Sequence, residues 1–455
     1  MSRLFSNKYS LTALVALAVL IPLNMIQGLV AERERTHRQA IDEMSASATG
    51  PQSLTGPVLV VPCVEDYPTE VVDPRTHETR VKRETRDCTR YVLPTRLELQ
   101  GTLGNDLRRR GIHSALFYVA ELGVKAHFEV PDSFGSGAAD TKVTLGVARV
   151  AVGIRDPRGV LNVPSLTLDD VAMVFAPGAS LSMLGPGIHA DLGQLPPGRR
   201  INVGFPLRLR GLERLDIVPL GRETFAHMES KWPHPSFDGR FLPASRQVSR
   251  AGFTAEWSTS HFATGLEEIF ARNVRAATVP DELAAVNFGV TLMDPVDLYT
   301  QTDRALKYGF LFVLLTFVAL LGTELARGLR LHPMQYAMVG VALAVFFLLL
   351  LSLSEHVGFT TAYASAATAC ILLLSYYLRH TMRSVGLGAA YGVTLTLLYG
   401  LMFGLLCSED YALLAGSIFV FGVLATLMVA TRHVDWYRLG PAVPGPQPEP
   451  APKAE

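Results

Sequence analysis

The chain of 455 residues has no surplus of either charge sign: 41 Lys+Arg stand against 41 Asp+Glu, and no Lys/Arg run of the kind that tracks phosphates occurs. That balance argues against a nucleic-acid partner, because tracking a phosphate backbone needs clustered cations. Several chemical signatures are missing as well. There is no Walker loop, no zinc-binding pair with a third ligand and no nucleophile elbow. GLGAAYG at residues 386 to 392 lies inside an apolar segment and follows no strand, so it fails as a dinucleotide fingerprint. No catalytic residue, resident metal or cofactor is expected.

What is present is apolar sequence, unevenly spread. Hydrophobic residues make up 49% of the chain and the mean hydropathy is +0.26, which points to a membrane protein. LTALVALAVLIPLNMIQGLVA (11 to 31) exceeds a secretory apolar region and reads as an uncleaved anchor. From residue 32 to about 306 no stretch is long enough to span. Five apolar blocks then follow at 308 to 325, 337 to 354, 359 to 378, 385 to 407 and 411 to 430, each near the roughly 20 residues that a helix needs to cross hydrocarbon.

Short loops set the expected orientation. Arg327 and Arg330, Arg379 and Arg383, and Arg432 and Arg438 mark three cytoplasmic ends, while SEHVG and SED carry neither Lys nor Arg. The expected architecture is therefore mixed. An anchor (1 to 31) precedes a large β-rich, sandwich-like periplasmic domain (32 to 306), then a five-helix C-terminal bundle (307 to 437) and a proline-rich cytoplasmic tail (438 to 455). That makes six transmembrane helices with both termini inside. A helix from the anchor should run through AERERTHRQAIDEM, with Ala40, Ile41 and Met44 on one face, until Gly50-Pro51 stops it. VLVVPC, TRLELQGTL, ALFYVAELGVKAHFEV, KVTLGVARVAVGI, INVGFPLRLRGL and VNFGVTL read as strands. TRLELQGTL and FPLRLRGLERL share a Leu-x-Leu-x-Gly pattern, which either marks two similar halves or is coincidence. Asp294 and Pro295 should start the helix that returns to the membrane.

Four groups of residues are candidates for function. In SKWPHPSFDGRFLP (230 to 243), Lys231, Trp232, His234, Phe237 and Asp238 form either a rigid corner or a loop that contacts a partner or ligand. Glu355, His356, Glu409 and Asp410 sit at outer helix ends, as solvated loop residues or as a polar cluster. Cys63 and Cys88 are a candidate disulfide, worth about 3 kcal/mol by loop closure, or two buried thiols. Gly388, Gly392, Gly400 and Gly404 have the small-xxx-small spacing of close helix packing, within the bundle or against a second copy, which leaves a homo-oligomer open. None of the last five spans carries a central ionisable residue, which argues against a proton-coupled carrier.

Taken together, LIPLNMIQGLVAERE with LTGPVLVVP, SKWPHPSFDGRFLP with GFTAEW, PVDLYTQTDRALKYGFLFVLLTF, HPMQYAMVGVALAVFFLLLLSLSEHVGF, DYALLAGSIFVFGVL and TRHVDWY resemble the CreD inner-membrane proteins over about residues 8 to 437. The resemblance implies a non-enzymatic role in cell-envelope integrity and stress response, with an association to colicin tolerance and β-lactam response. It carries no catalytic residue over. The Cys63/Cys88 pair and the long tail depart from the family pattern. The expected partners are the lipid bilayer and an envelope protein or lipid, bound by the periplasmic domain. The alternative is a lipid- or glycan-handling enzyme or lipid carrier with a cavity between domain and bundle.

Overall fold

The structure is a computed structural model that describes residues 8–72, 79–134, 140–272, 279–293, 298–407 and 412–432. The chain divides into two compact units, one formed by Met1–Glu32 with Leu298–Glu455 and the other by Arg33–Asp297.

The Arg33–Asp297 unit is built from two β-sheets. The first has the strand order Pro235–Gly239, Phe288–Leu292, Arg214–Val218, Gln52–Val72, Ala148–Ile154, Gly187–Gly193, Ala176–Pro177. Strands Thr79–Val92 and Lys142–Leu145 add to the far half of Gln52–Val72. The second sheet runs Ser245–Ser249, Gly252–Ser260, Glu223–Ser230, Arg96–Arg110, His113–Glu129, Arg200–Leu212, Ser165–Leu168, Val171–Val174. Period-two patterning decides which face is buried. In Arg200–Leu212, Ile201, Val203, Phe205, Leu207 and Leu209 turn inward while Arg200, Asn202 and Arg208 are exposed. The inward faces of both sheets meet in one core, where Leu54, Leu59, Val150 and Val290 of the first pack with Leu97, Val124, Phe205 and Trp257 of the second. Burial on this scale, at about 25 cal/mol per Å² of apolar surface, is the main force that holds the sheets together. The architecture is a sandwich.

TRLELQGTL and FPLRLRGL lie in one sheet, on either side of the same strand. Arg96–Arg110 and Arg200–Leu212 both pair antiparallel with His113–Glu129. Two strands that flank a common partner share its in-out alternation, which accounts for their likeness without a repeat.

The end of the long first helix belongs to this unit. Helix Lys8–Ala18 passes through Val19 into helix Leu20–Ser47, which stops before Gly50–Pro51. Its last turns dock on the second sheet. Met44 is buried with Ala115, Phe117 and Leu212, Ile41 packs beside them, and Arg110 pairs with Glu43 at 3.0 Å. His37 and His113 bring their Nδ1 atoms to 3.1 Å, so one ring donates to the other.

The other unit is helical. Five helices among the described residues are long and apolar enough to cross a membrane: Ser10–Ser47, Leu298–Glu324, Pro333–Val357, Phe359–Thr381 and Val385–Leu406. A further helix, Ala412–Thr431, follows. The Asp294-Pro295 start expected for the second span lies outside the described residues, and the helix is seen from Leu298. His332 caps Pro333–Val357. It accepts from the Met334 N–H at 3.2 Å, and Gln335 accepts from the His332 N–H at 2.9 Å, a reciprocal capping box. An aromatic cluster of Phe312, Phe346, Tyr363 and Tyr399 centres the core, with Phe312 and Tyr399 ring centroids 4.5 Å apart.

Candidate functional site

SKWPHPSFDGRFLP is where the chain changes sheets. Glu223–Ser230 belongs to the second sheet and Pro235–Gly239 to the first, so residues 231 to 234 form the crossing. Two prolines suit that task. Neither Pro233 nor Pro235 has an N–H to leave unpaired, and Pro235 opens an edge strand, where proline is tolerated. The crossing is fastened at both ends. Ser230 Oγ donates to the Leu103 carbonyl at 2.7 Å and accepts from the Trp232 N–H at 3.2 Å. Trp232 Nε1 donates to the Met293 carbonyl at 2.8 Å, and the Met293 N–H donates to the His234 carbonyl at 3.0 Å.

The next residues turn inward. Phe237 makes edge contacts with Phe253 and Trp257, at 5.6 and 5.8 Å between centroids, and so bridges the two sheets. Asp238 accepts from Thr291 Oγ1 at 2.5 Å and from Ser236 Oγ at 3.1 Å. Gly239 has φ +100°, and a Cβ there would lie 2.5 Å from the Asn287 carbonyl, so only glycine fits. Lys231 and His234 are exposed, and the His234 ring stands edge-on to Trp232 at 6.4 Å. Thus Trp232, Phe237 and Asp238 serve the scaffold, while Lys231 and His234 face solvent with no acid, nucleophile or second histidine converging on them among the described contacts.

Behind the corner lies a buried polar group that pattern reading missed. Asp216, on a strand next to Phe288–Leu292, is buried and accepts both 2.9 Å bonds from Arg214 Nε. Burial raises its pKa above the ordinary carboxylate value; Arg214 and Arg155 pull it back, and Asp238 adds to the rise. The buried Tyr118 hydroxyl donates to the Arg214 carbonyl at 2.9 Å, and desolvation pushes that phenol well up. An isolated Asp within the run RLDIV is the only sequence hint of this group.

The other candidate groups fare differently. Glu355 accepts from the Tyr299 hydroxyl at 3.3 Å, and His356 Nδ1 donates to the Ser352 carbonyl at 3.1 Å, so each serves its own helical surroundings. Glu409 and Asp410 lie outside the described residues. Among the described residues no three His, Cys, Asp or Glu side chains come together as a metal site. Gly388 and Gly392 bring helix Val385–Cys407 against helix Phe359–Thr381: added Cβ atoms would stand 2.6 Å from Arg379 Cβ and 2.8 Å from Ser375 Oγ. At Gly400 and Gly404 an added Cβ would meet nothing within 4 Å among the described residues. Cys63 and Cys88 are directly opposed in the ladder and are bridged.

A well-formed hollow in the sandwich unit involves none of the residues expected from sequence. A cavity of about 360 Å³ opens between the sheets and is lined by Val61, Val130, Phe134, Leu145, Gly146 and the stretch Gln194–Pro197. Its walls are mostly apolar, and its size falls within the roughly 300 to 1,000 Å³ typical of small-molecule sites. Five separate segments contribute, each with one to four residues.

Comparison with known proteins agrees along nearly the whole chain. The family model described as "Inner membrane protein CreD" matches residues 5–437. The protein of that name from Escherichia coli (strain K12) is 36% identical over 440 residues, covering 96% of this chain and 94% of its own. Among solved structures, a mutant M1 zinc metallopeptidase from Deinococcus radiodurans aligns over 44% of this chain and 42% of its own, at 9% identity and a TM-score of 0.23. The unmutated peptidase gives 8% identity and a TM-score of 0.21 over the same shares. The chain spans less than half of the peptidase's length, and at such TM-scores the likeness supports no conclusion.

Proposed function

The chain belongs to the CreD family of inner membrane proteins, and on that premise we propose that it is a non-enzymatic envelope protein whose β-sandwich binds a lipid on the periplasmic side. Six spans with both termini in the cytoplasm accord with the arginines at 327, 330, 379, 383, 432 and 438 and with the loops that lack them. On that topology the sandwich faces the compartment in which the Cys63–Cys88 bridge persists. The observation that carries the reading is the apolar cavity between the sheets, because an apolar recess in a membrane-tethered domain suits an acyl chain. The corner at 230 to 243 supplies rigidity, and a role in envelope integrity follows from lipid occupancy rather than from chemistry on a substrate.

Three measurements test this. A cysteine placed at the exposed Val163 should react with a membrane-impermeant maleimide in spheroplasts; protection there with reaction only after lysis reverses the orientation. Native mass spectrometry of the full-length protein, released from its membrane in mild detergent, should retain lipid. Photocrosslinking with a diazirine-bearing phospholipid should label peptides containing Phe134 or Leu195. Labelling confined to the helical unit would remove the lipid from the sandwich.

A further inference from the structure

The cavity has a charged neighbour that follows from strand register. In the antiparallel pair of Gln52–Val72 with Thr79–Val92, Val61 stands opposite Arg90, Cys63 opposite Cys88 and Glu65 opposite Arg86. These pairs are two residues apart, so all three lie on one face, in layers separated by about 6.8 Å. It is the core-facing side, since Val61 and Val92 belong to the sandwich core. Strand Lys142–Leu145 continues the face on the other flank, with Leu145 opposite Cys63 and Val143 opposite Glu65. Val61 and Leu145 line the cavity. The disulfide layer therefore borders the cavity, and the next layer holds Glu65 and Arg86.

Arg90 reaches across this boundary. Rooted opposite Val61, it donates through Nη2 to Glu65 Oε1, while Arg86 Nε donates to Glu65 Oε2 at 2.5 Å. Glu65 is 1% exposed, so its charge is buried and paired. Two guanidiniums against one carboxylate leave one positive charge. Farther along the face Lys82 and Glu84 pair at 3.7 Å and cancel. Arg90 also has an unmade bond: its Nε is buried with no acceptor among the described residues. A buried donor left in this state is destabilising, and an incoming oxygen would relieve it. Arg86 is fixed by Glu65 and by the Tyr67 ring, 5.2 Å from its guanidinium carbon.

We propose that the sandwich takes up an anionic amphiphile, with the acyl chain in the cavity and the oxyanion head group on Arg90 and Arg86. The proposal rests on the lipid-binding reading above and adds the head-group chemistry. Excess positive charge beside an apolar recess selects a carboxylate or phosphate ester over a neutral chain of equal length. Glu65 holds the two guanidiniums in place, and the Cys63–Cys88 bridge holds their strands in register.

The test uses full-length protein in nonionic detergent with two photoactivatable probes of one chain length, a diazirine fatty acid and the corresponding diazirine alcohol. Label is quantified on the peptide containing Leu195, and unfolding midpoints are recorded for every variant. Wild-type protein should label with the acid in preference to the alcohol. Arg90→Gln should reduce acid labelling by about tenfold, the loss of one charge-assisted hydrogen bond, while alcohol labelling holds. Arg90→Lys, which keeps the charge, should retain part of the preference. Equal labelling by both probes, or a preference that survives Arg90→Gln, overturns the head-group assignment and leaves lipid binding standing. Absence of label from either probe overturns both readings. If Arg90→Gln unfolds, the Arg90→Lys and Arg86→Gln variants decide by the same acid-to-alcohol ratio. Acid labelling that falls in millimolar inorganic phosphate while alcohol labelling holds is the result expected of a head group on the arginines; phosphate that protects the arginines while acid and alcohol label equally would assign them to a free anion and overturn the amphiphile.

Discussion

The corner at 230 to 243 and the cavity between the sheets are opposites in how they announce themselves. The corner concentrates Lys, Trp, His, Asp and two prolines in a few residues, the vocabulary of a site, yet its inward side chains tie one sheet to the other. The cavity is written mostly in Val, Leu, Phe, Gly and Pro drawn from five segments, and it is a recess with room for a ligand. Dense chemistry along the chain measures how much must be fastened at a crossing. A binding recess is a property of what the ends of several strands leave unfilled.

If that contrast holds, changes near the corner lower stability and spare lipid labelling, whereas changes at the cavity reduce lipid labelling. The largest expected effect is at Trp257, 2% exposed and stacked on Phe288 at 5.1 Å beside Phe237. Trp257→Ala should cost about 3 to 5 kcal/mol, the range for deleting a buried aromatic, read as a fall in the sandwich's denaturant midpoint. A small shift would mean that the corner aromatics do not hold the sheets.

Next comes the disulfide, which belongs to the cavity side. Replacing Cys63 and Cys88 together by Ser removes a cross-link between residues 25 apart in sequence. Loop-closure entropy puts the loss at about 3 kcal/mol. The sharper readout is labelling: acid labelling should fall, because the layer between Val61 and Glu65 loses its tie. Unchanged labelling would show that the ladder alone keeps the arginines in register.

Within the corner, Trp232 separates packing from hydrogen bonding. Trp232→Phe keeps a ring against the core but leaves the Met293 carbonyl without its 2.8 Å donor. The expected loss is about 1 kcal/mol, the usual net worth of such a bond. Trp232→Ala should cost more, because packing goes as well, and equal losses would assign the whole effect to the hydrogen bond.

Asp216 adds a pH dependence. Its folded-state pKa is raised, chiefly by burial, so the folded protein binds this proton more tightly than the unfolded chain does. The stability it contributes is complete below the unfolded carboxylate value and is lost as pH rises through the folded one. Asp216→Asn should therefore raise the unfolding midpoint at neutral pH, with the advantage shrinking as the solution is acidified toward about pH 4. A variant less stable than wild type at neutral pH would show that the Arg214 pair outweighs desolvation.

The two regions also differ in how legible they were. Strands were readable because alternation is local: INVGFPLRLRGL states its own inner face, and the helix through Met44 ends where Gly50-Pro51 says it must. The turn character of 230 to 243 was equally plain, but its task was not, since a window of 14 residues does not contain the partner sheet. The cavity could not be read at all. Val61, Val130, Leu145 and Leu195 are ordinary apolar residues in or beside strands until the pairing of Gln52–Val72 with Lys142–Leu145 helps to bring them to one opening. The face shared by Val61, Cys63 and Glu65 was within reach, because those residues alternate. Its significance depends on Arg86 and Arg90 standing opposite, which only the register supplies.

The smallest expected effect bears most directly on the contrast. His234 is exposed, and among the described residues its backbone carbonyl is the group that is hydrogen-bonded, by Met293. His234→Ala keeps that carbonyl and removes a ring that touches solvent and the edge of Trp232. Exposed substitutions of this kind shift stability by no more than about 0.5 kcal/mol, so the unfolding midpoint should stay in place. Acid and alcohol labelling at Leu195 should stay in place too, because His234 lies on the crossing and not among the residues that line the recess. A variant with wild-type unfolding but diminished labelling would show that an exposed ring at the sheet crossing helps to admit or retain the ligand. The corner would then be part of the binding surface, and the division between scaffold and recess would fall.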